Sequence, residues 1–116
     1  MNFNLNNKSF KSKENAETGE VGEGTIFHYF QEENIIWAFY EGGKIVRGQI
    51  IGKVVSKSAF EISYQHINLQ GKIKTGICHT NLSTLPNGKI QLNEKWKWTC
   101  DDFSEGESIL VEIANK

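Results

Sequence analysis

Lys89-Ile-Gln-Leu-Asn-Glu-Lys-Trp-Lys-Trp-Thr99 alternates without a break. Ile90, Leu92, Glu94, Trp96 and Trp98 share one face, and Lys89, Gln91, Asn93, Lys95 and Lys97 share the other. A period of two is that of a β-strand with one dry and one wet face. Glu94 is the exception, a carboxylate between Leu92 and Trp96 on the dry side. A carboxylate in that position must find partners or give up its charge.

Working outward, the rest of the chain repeats this pattern in short runs. With soft boundaries they are 6–12, 25–31, 35–41, 44–54, 60–68, 72–82, 89–99 and 108–114. Turn signals separate them: Glu32-Glu33-Asn34, Gly42-Gly43, Ser56-Lys57-Ser58, Gln70-Gly71 and Pro86-Asn87-Gly88. Asn87-Gly88 suits the two positive φ angles of a type I′ hairpin turn. Residues 101–107 read as a longer loop, and Lys13–Gly24 as an irregular polar connection. Eleven glycines and one proline suit turns, and no useful 3.6-residue apolar stripe is present.

Short connections make consecutive strands antiparallel neighbours. Eight of them form a meander, and closing it buries the apolar face and removes both edges. The expected fold is therefore all-β: a single antiparallel, eight-stranded up-and-down barrel over residues 1–116. A two-sheet sandwich is the alternative, less suited to connections that run up and down. Gly48 and Gly52 fit the bends that closure needs.

Alternation also assigns an interior. It places Phe60, Ile62, Tyr64 and His66 inside, then Ile73, Thr75, Ile77 and His79, and finally Ile109, Val111 and Ile113. Cys78 takes the outward parity. Runs two and three are apolar on both faces. Either Phe27, Tyr29, Trp37 and Phe39 point inward, or Ile26, His28, Phe30, Ile36 and Tyr40 do. Two apolar faces also imply an outer surface covered by another subunit or by the N-terminal arm.

Composition removes several function classes. The 116 residues carry 13 basic and 14 acidic side chains, a formal charge of -1. That is no footprint for nucleic acid or an anionic membrane. Lys95 and Lys97 interleave with tryptophans, but lysines and indoles face opposite sides, whereas single-strand binding needs both on one surface. No apolar run reaches the length of a membrane span, and the N-terminus has no secretory pattern. A cytoplasmic protein with two free thiols, Cys78 and Cys100, is expected. Asn81-Leu82-Ser83 matches a glycosylation sequon that has no meaning in that compartment. Gly19-Glu-Val-Gly-Glu-Gly24 has neither a strand before it nor a helix after it, and reads as a connector.

The inferred interior is aromatic with polar punctuation. Tyr64, His79, Glu94, Trp96 and Trp98 are the candidate ligand-binding residues. Glu94 would accept hydrogen bonds, with His79 as its diagonal neighbour across the hairpin, and the aromatics would supply apolar walls. The same pair equally suits a structural acid–imidazole contact, and the indoles equally suit core packing. His66, His79 and Glu94 resemble a metal triad. However, a hairpin closed by Gln70-Gly71 sets His66 opposite Thr75 and His79 opposite Ile62. The histidines are then roughly 13 Å apart along the strands, so no metal is expected. No cofactor motif is present.

One resemblance adds to this. Leu85-Pro-Asn-Gly-Lys-Ile-Gln-Leu-Asn-Glu-Lys-Trp-Lys-Trp-Thr99 is followed by Ser104-Glu-Gly-Glu-Ser-Ile-Leu110. With Met1-Asn-Phe-Asn4, Thr25-Ile-Phe-His-Tyr29 and Gly76-Ile-Cys78, these strings resemble a family of small bacterial proteins of about this length, often labelled N-acetylglutamate synthase. The resemblance spans nearly the whole chain, and Glu-x-Trp-x-Trp is its most specific part. It implies acetyl transfer to glutamate as one activity, and carries over no catalytic or binding residue. The layout is similar to avidin-like and lipocalin-like meanders. Three functions follow: a barrel that binds a small molecule, a structural or homodimeric module, and an acetyltransferase.

Overall fold

The structure is a computed structural model that describes residues 3–15, 21, 22 and 24–114. All regular structure among them is β-strand. The strands are β1 (Lys8–Asn15), β2 (Ile26–Glu32), β3 (Ile35–Gly42), β4 (Ile45–Ser56), β5 (Ala59–Asn68), β6 (Ile73–Thr84), β7 (Ile90–Trp98) and β8 (Glu105–Ile113). Each pairs antiparallel with the next, and β1 pairs with β8, so the sheet closes as the expected meander barrel. Closure leaves no unpaired edge and puts one face of every strand in a common core. Of the expected Lys13–Gly24 connection, residues 13–15 extend β1. Residues 16–20 and Glu23 lie outside the described residues, and with them most of the Gly19–Gly24 string.

Turn length decides which face of each strand is inside. The β5–β6 turn is three residues long: the Asn68 amide donates to the Lys72 carbonyl across Leu69-Gln70-Gly71 at 3.0 Å. Gly71 has φ +79°, the left-handed residue that ends such a loop. The β6–β7 turn repeats the arrangement. Leu85 donates to Lys89 at 2.8 Å across Pro86-Asn87-Gly88, and Gly88 has φ +85°. Asn87 is not in the left-handed region, so no type I′ turn forms.

Compared with two-residue loops, each three-residue turn shifts pairing by one position, and a one-residue shift exchanges the faces of a strand. His66 therefore opposes Lys74 and not Thr75, and His79 opposes Glu61 and not Ile62. The inward face of β6 carries Gly76, Cys78 and Thr80. The expectation of Ile73, Thr75, Ile77 and His79 inside is overturned, as is the outward parity of Cys78: Ile73 and Ile77 are exposed and Cys78 is buried. The second three-residue turn restores β7 to the expected side.

Two other strands also correct the sequence assignment. Between β2 and β3, Glu33 adopts φ +54° and Glu32 pairs with Ile35, giving a two-residue turn where three were expected. Phe27 and Tyr29 then share the interior with Ile36, Ala38 and Tyr40, a combination of the two alternatives. On β8 the buried residues are Ser108 and Leu110, whereas Ile109, Val111 and Ile113 are only half-buried. Here Leu92 pairs with Leu110, and the Trp96 indole N–H donates to Ser108 Oγ at 2.8 Å. A buried indole needs that acceptor.

One end of the barrel is filled by the N-terminal segment. Leu5 is fully buried, its amide donates to Gln31 Oε1 at 2.9 Å, and Phe3 lies against Phe60 with ring centroids 6.1 Å apart. His66 and Trp98 lie toward the opposite end, where β5 and β7 finish.

Candidate ligand-binding site

Gly48 and Gly76 place the two tyrosines that define the site. Gly48 pairs with Tyr40, and Gly76 pairs with Tyr64. A Cβ at 48 would stand 2.3 Å from the Tyr40 ring, and one at 76 would stand 2.2 Å from the Tyr64 ring. Each phenol ring thus lies on bare backbone, which lets it tilt into the barrel. Glycine at these positions seats an aromatic ring in addition to allowing curvature.

The Tyr40 hydroxyl meets His66 Nδ1 at 2.8 Å, with both side chains buried. Tyr64, His66 and Trp96 each cross Trp98 at a steep angle, with centroids 5.7–5.8 Å away and interplanar angles of 61–78°. The rings form a box and not a parallel slot. Lys74 Nζ lies 4.8 Å from the Trp98 ring centroid and pairs with Asp101, which brings an ammonium to the end of this box.

Glu94 lies deeper. It pairs with Thr80 of β6 and Ser108 of β8, both buried. Its remaining accessible surface lines a cavity of about 40 Å³, together with Tyr64, His66, Cys78, Trp96 and Trp98. Among the described residues none hydrogen-bonds to its carboxyl or offsets its charge. Burial alone pushes its pKa from 4.5 to about 8. Burial, followed by the Glu94 charge, raises the Tyr29 phenol. Burial, then Cys78 and then Glu94, raises Tyr64. Burial, then Glu94, raises the Cys78 thiol. The Tyr29 hydroxyl is buried without a hydrogen-bond partner among the described residues. At neutral pH the centre of the barrel therefore holds a largely protonated acid among uncharged hydroxyls and a thiol.

Of the five residues singled out from the sequence, Tyr64, Glu94, Trp96 and Trp98 come together on this cavity. His79 does not. It lies on the outer surface with Nδ1 3.1 Å from Glu61 Oε2, and both side chains are about half exposed. The three-residue β5–β6 turn is the reason. His66, inside, and His79, outside, also lie on opposite faces of the sheet, so the triad that the sequence pattern resembled does not assemble. Among the described residues no cluster of metal-ligating side chains occurs. Alternation placed His66 in the interior but gave it no role. Tyr40, Cys78 and Ser108 were missed, although the spacing of Gly48 and Gly76 marks where rings must lie.

Broader depressions run along the outer face, one of them past Lys53, Glu61, His79 and Lys95. They are open and lined by solvated side chains, so the cavity around Glu94 is the better site despite its smaller volume.

Residues 3–113 match the family model described as avidin-like protein. The match covers almost the entire chain, which therefore belongs to the avidin-like family. No curated protein and no solved structure matched. None of these comparisons supports the N-acetylglutamate synthase label.

Proposed function

We propose that this member of the avidin-like family binds a small molecule inside its barrel, with the polar end of the ligand against Glu94 and Tyr64, Trp96 and Trp98 as apolar walls. One observation carries the proposal: a carboxyl group enclosed beside a cavity, with no partner among the described residues. A purely structural core leaves no such group unpaired, because burying it costs stability and offers no compensating bond. A ligand head would supply that bond.

The cavity exceeds the roughly 10–15 Å³ that one water needs and is far below the roughly 300 Å³ of a drug-sized pocket. It takes a ligand of few atoms or the head of a larger one. Two free cysteines, one of them buried, support a cytoplasmic setting. Among the described residues no helix is long and apolar enough to cross a membrane. Native mass spectrometry of freshly purified protein tests the proposal. A co-purified small molecule that is lost in Glu94→Gln supports it. Identical retention by the variant rejects the role of Glu94.

A second reading, self-association, rests on the outer face. Phe30, Trp37 and Phe39 cluster there with centroids about 6 Å apart, and Phe39, Ile51 and Ile77 are about half exposed or more. Phe30, Trp37 and Ile51 are successive cross-strand partners. Apolar surface of this continuity suits a second copy of the chain. A clean monomer in sedimentation equilibrium rejects it.

A further inference from the structure

We propose that the ligand head is a small monocation, an ammonium or alkylammonium group, with Glu94 as its counter-ion and the Tyr64, Trp96 and Trp98 rings as its walls. This rests on the barrel interior being the ligand site.

Three observations select charge and shape. First, among the described residues Glu94 is the one carboxylate on the cavity, and none of them neutralises it. A cation would remove the cost of its ionisation, whereas a neutral ligand would leave the group protonated. Second, the rings around Trp98 stand at 61–78° to it. A flat ligand packs best between near-parallel rings, while a rounded head fits a box. Ring faces carry the negative end of the aromatic quadrupole, so such a box attracts a positive head. Third, the chain already shows this chemistry at the same indole, because the Lys74 ammonium lies over Trp98.

The titratable groups on the cavity, besides Glu94, are Tyr40 of β3, Tyr64 and His66 of β5, and Cys78 of β6. Tyr29 of β2 is close enough to feel the Glu94 charge, and the Lys74 ammonium of β6, paired with Asp101, lies over Trp98. Burial holds the Tyr29, Tyr64 and Cys78 groups uncharged well above neutrality. Glu94, shifted to about 8, is the group that gains charge as pH rises through the mildly alkaline range. Binding of a permanent cation therefore strengthens over that range and displaces the Glu94 proton at lower pH.

Choline, its uncharged isostere 3,3-dimethylbutan-1-ol and the flat cyclic urea imidazolidin-2-one form the test, titrated calorimetrically into the full chain at pH 6 and pH 9. Choline keeps its charge throughout, so any pH dependence belongs to the protein. The expected result is choline binding at least about tenfold tighter than the alcohol at pH 9, a difference of about 1.4 kcal/mol. The preference shrinks at pH 6 and disappears in Glu94→Gln. If that variant does not fold, the pH dependence of the unaltered chain decides alone. Equal or tighter binding of the alcohol or the urea overturns the cation assignment and leaves the interior site standing. No binding of any probe, with no co-purified molecule, overturns both.

Discussion

Tyr64 rests on Gly76, its direct partner across the β5–β6 ladder, so closely that a methyl group at 76 would stand 2.2 Å from the ring. One of the aromatic walls beside Trp98 therefore depends on the absence of one carbon atom. Gly76→Ala should expel Tyr64 from its place and cost about 1–3 kcal/mol, the usual range for overpacking a core. Chemical denaturation measures the loss, and tryptophan fluorescence follows the change around Trp98. An unchanged midpoint with an unchanged spectrum would show that the ring is not seated there.

Glu94 makes stability depend on pH in an unusual direction. Its folded pKa of about 8 lies above the 4.5 of the unfolded chain. Between these values the native state binds more protons than the unfolded state, so stability falls as pH rises through that interval and levels off above it. The expected loss is on the order of a few kcal/mol. Glu94→Gln should lack this slope. Urea midpoints for both proteins at pH 5, 7 and 9 give the comparison, and parallel curves would mean that Glu94 is ionised and paired throughout.

Tyr29 offers the opposite kind of substitution. Its hydroxyl is buried without a partner among the described residues, so Tyr29→Phe removes a desolvated group and breaks no hydrogen bond with them. The variant should be neutral or more stable by up to about 2 kcal/mol. A destabilisation greater than about 1 kcal/mol would reveal a bound water or ligand atom on that oxygen.

His79 and Trp98 separate the outside of the barrel from its inside. His79→Ala removes a solvated contact with Glu61 and should change stability by less than about 1 kcal/mol, with no effect on the interior. Trp98→Ala should cost about 3–5 kcal/mol. A His79 variant that lost ligand binding would contradict the outward orientation of that strand face.

How much was legible in the chain differs from strand to strand. β7 was read in full, with Glu94, Trp96 and Trp98 assigned to the dry face, because its two faces differ sharply in polarity. β5 was read for the same reason. β6 misled because Ile73 and Ile77 share a parity with His79, and their bulk outweighed Gly76, Cys78 and Thr80 as an inward signal. β8 misled similarly, since Ile109, Val111 and Ile113 look more apolar than Ser108, Leu110 and Glu112. Tyr40 and His66 could not be paired from sequence, because their contact is set by the β3–β4 and β4–β5 registers together.

By itself the sequence determined the number of strands, their antiparallel order and the closed barrel, together with a carboxylate on the same dry face as two indole rings. These follow from a period of two and from short connections, both local properties. Only the tertiary structure decided which face of β2, β3, β6 and β8 turns inward, and hence that His79 is solvated while Cys78 and Ser108 line the cavity. Alternation says that neighbouring residues lie on opposite faces and leaves open which face is buried. One residue more or less in a turn exchanges the two, and the choice is made by the packing of all eight strands at once.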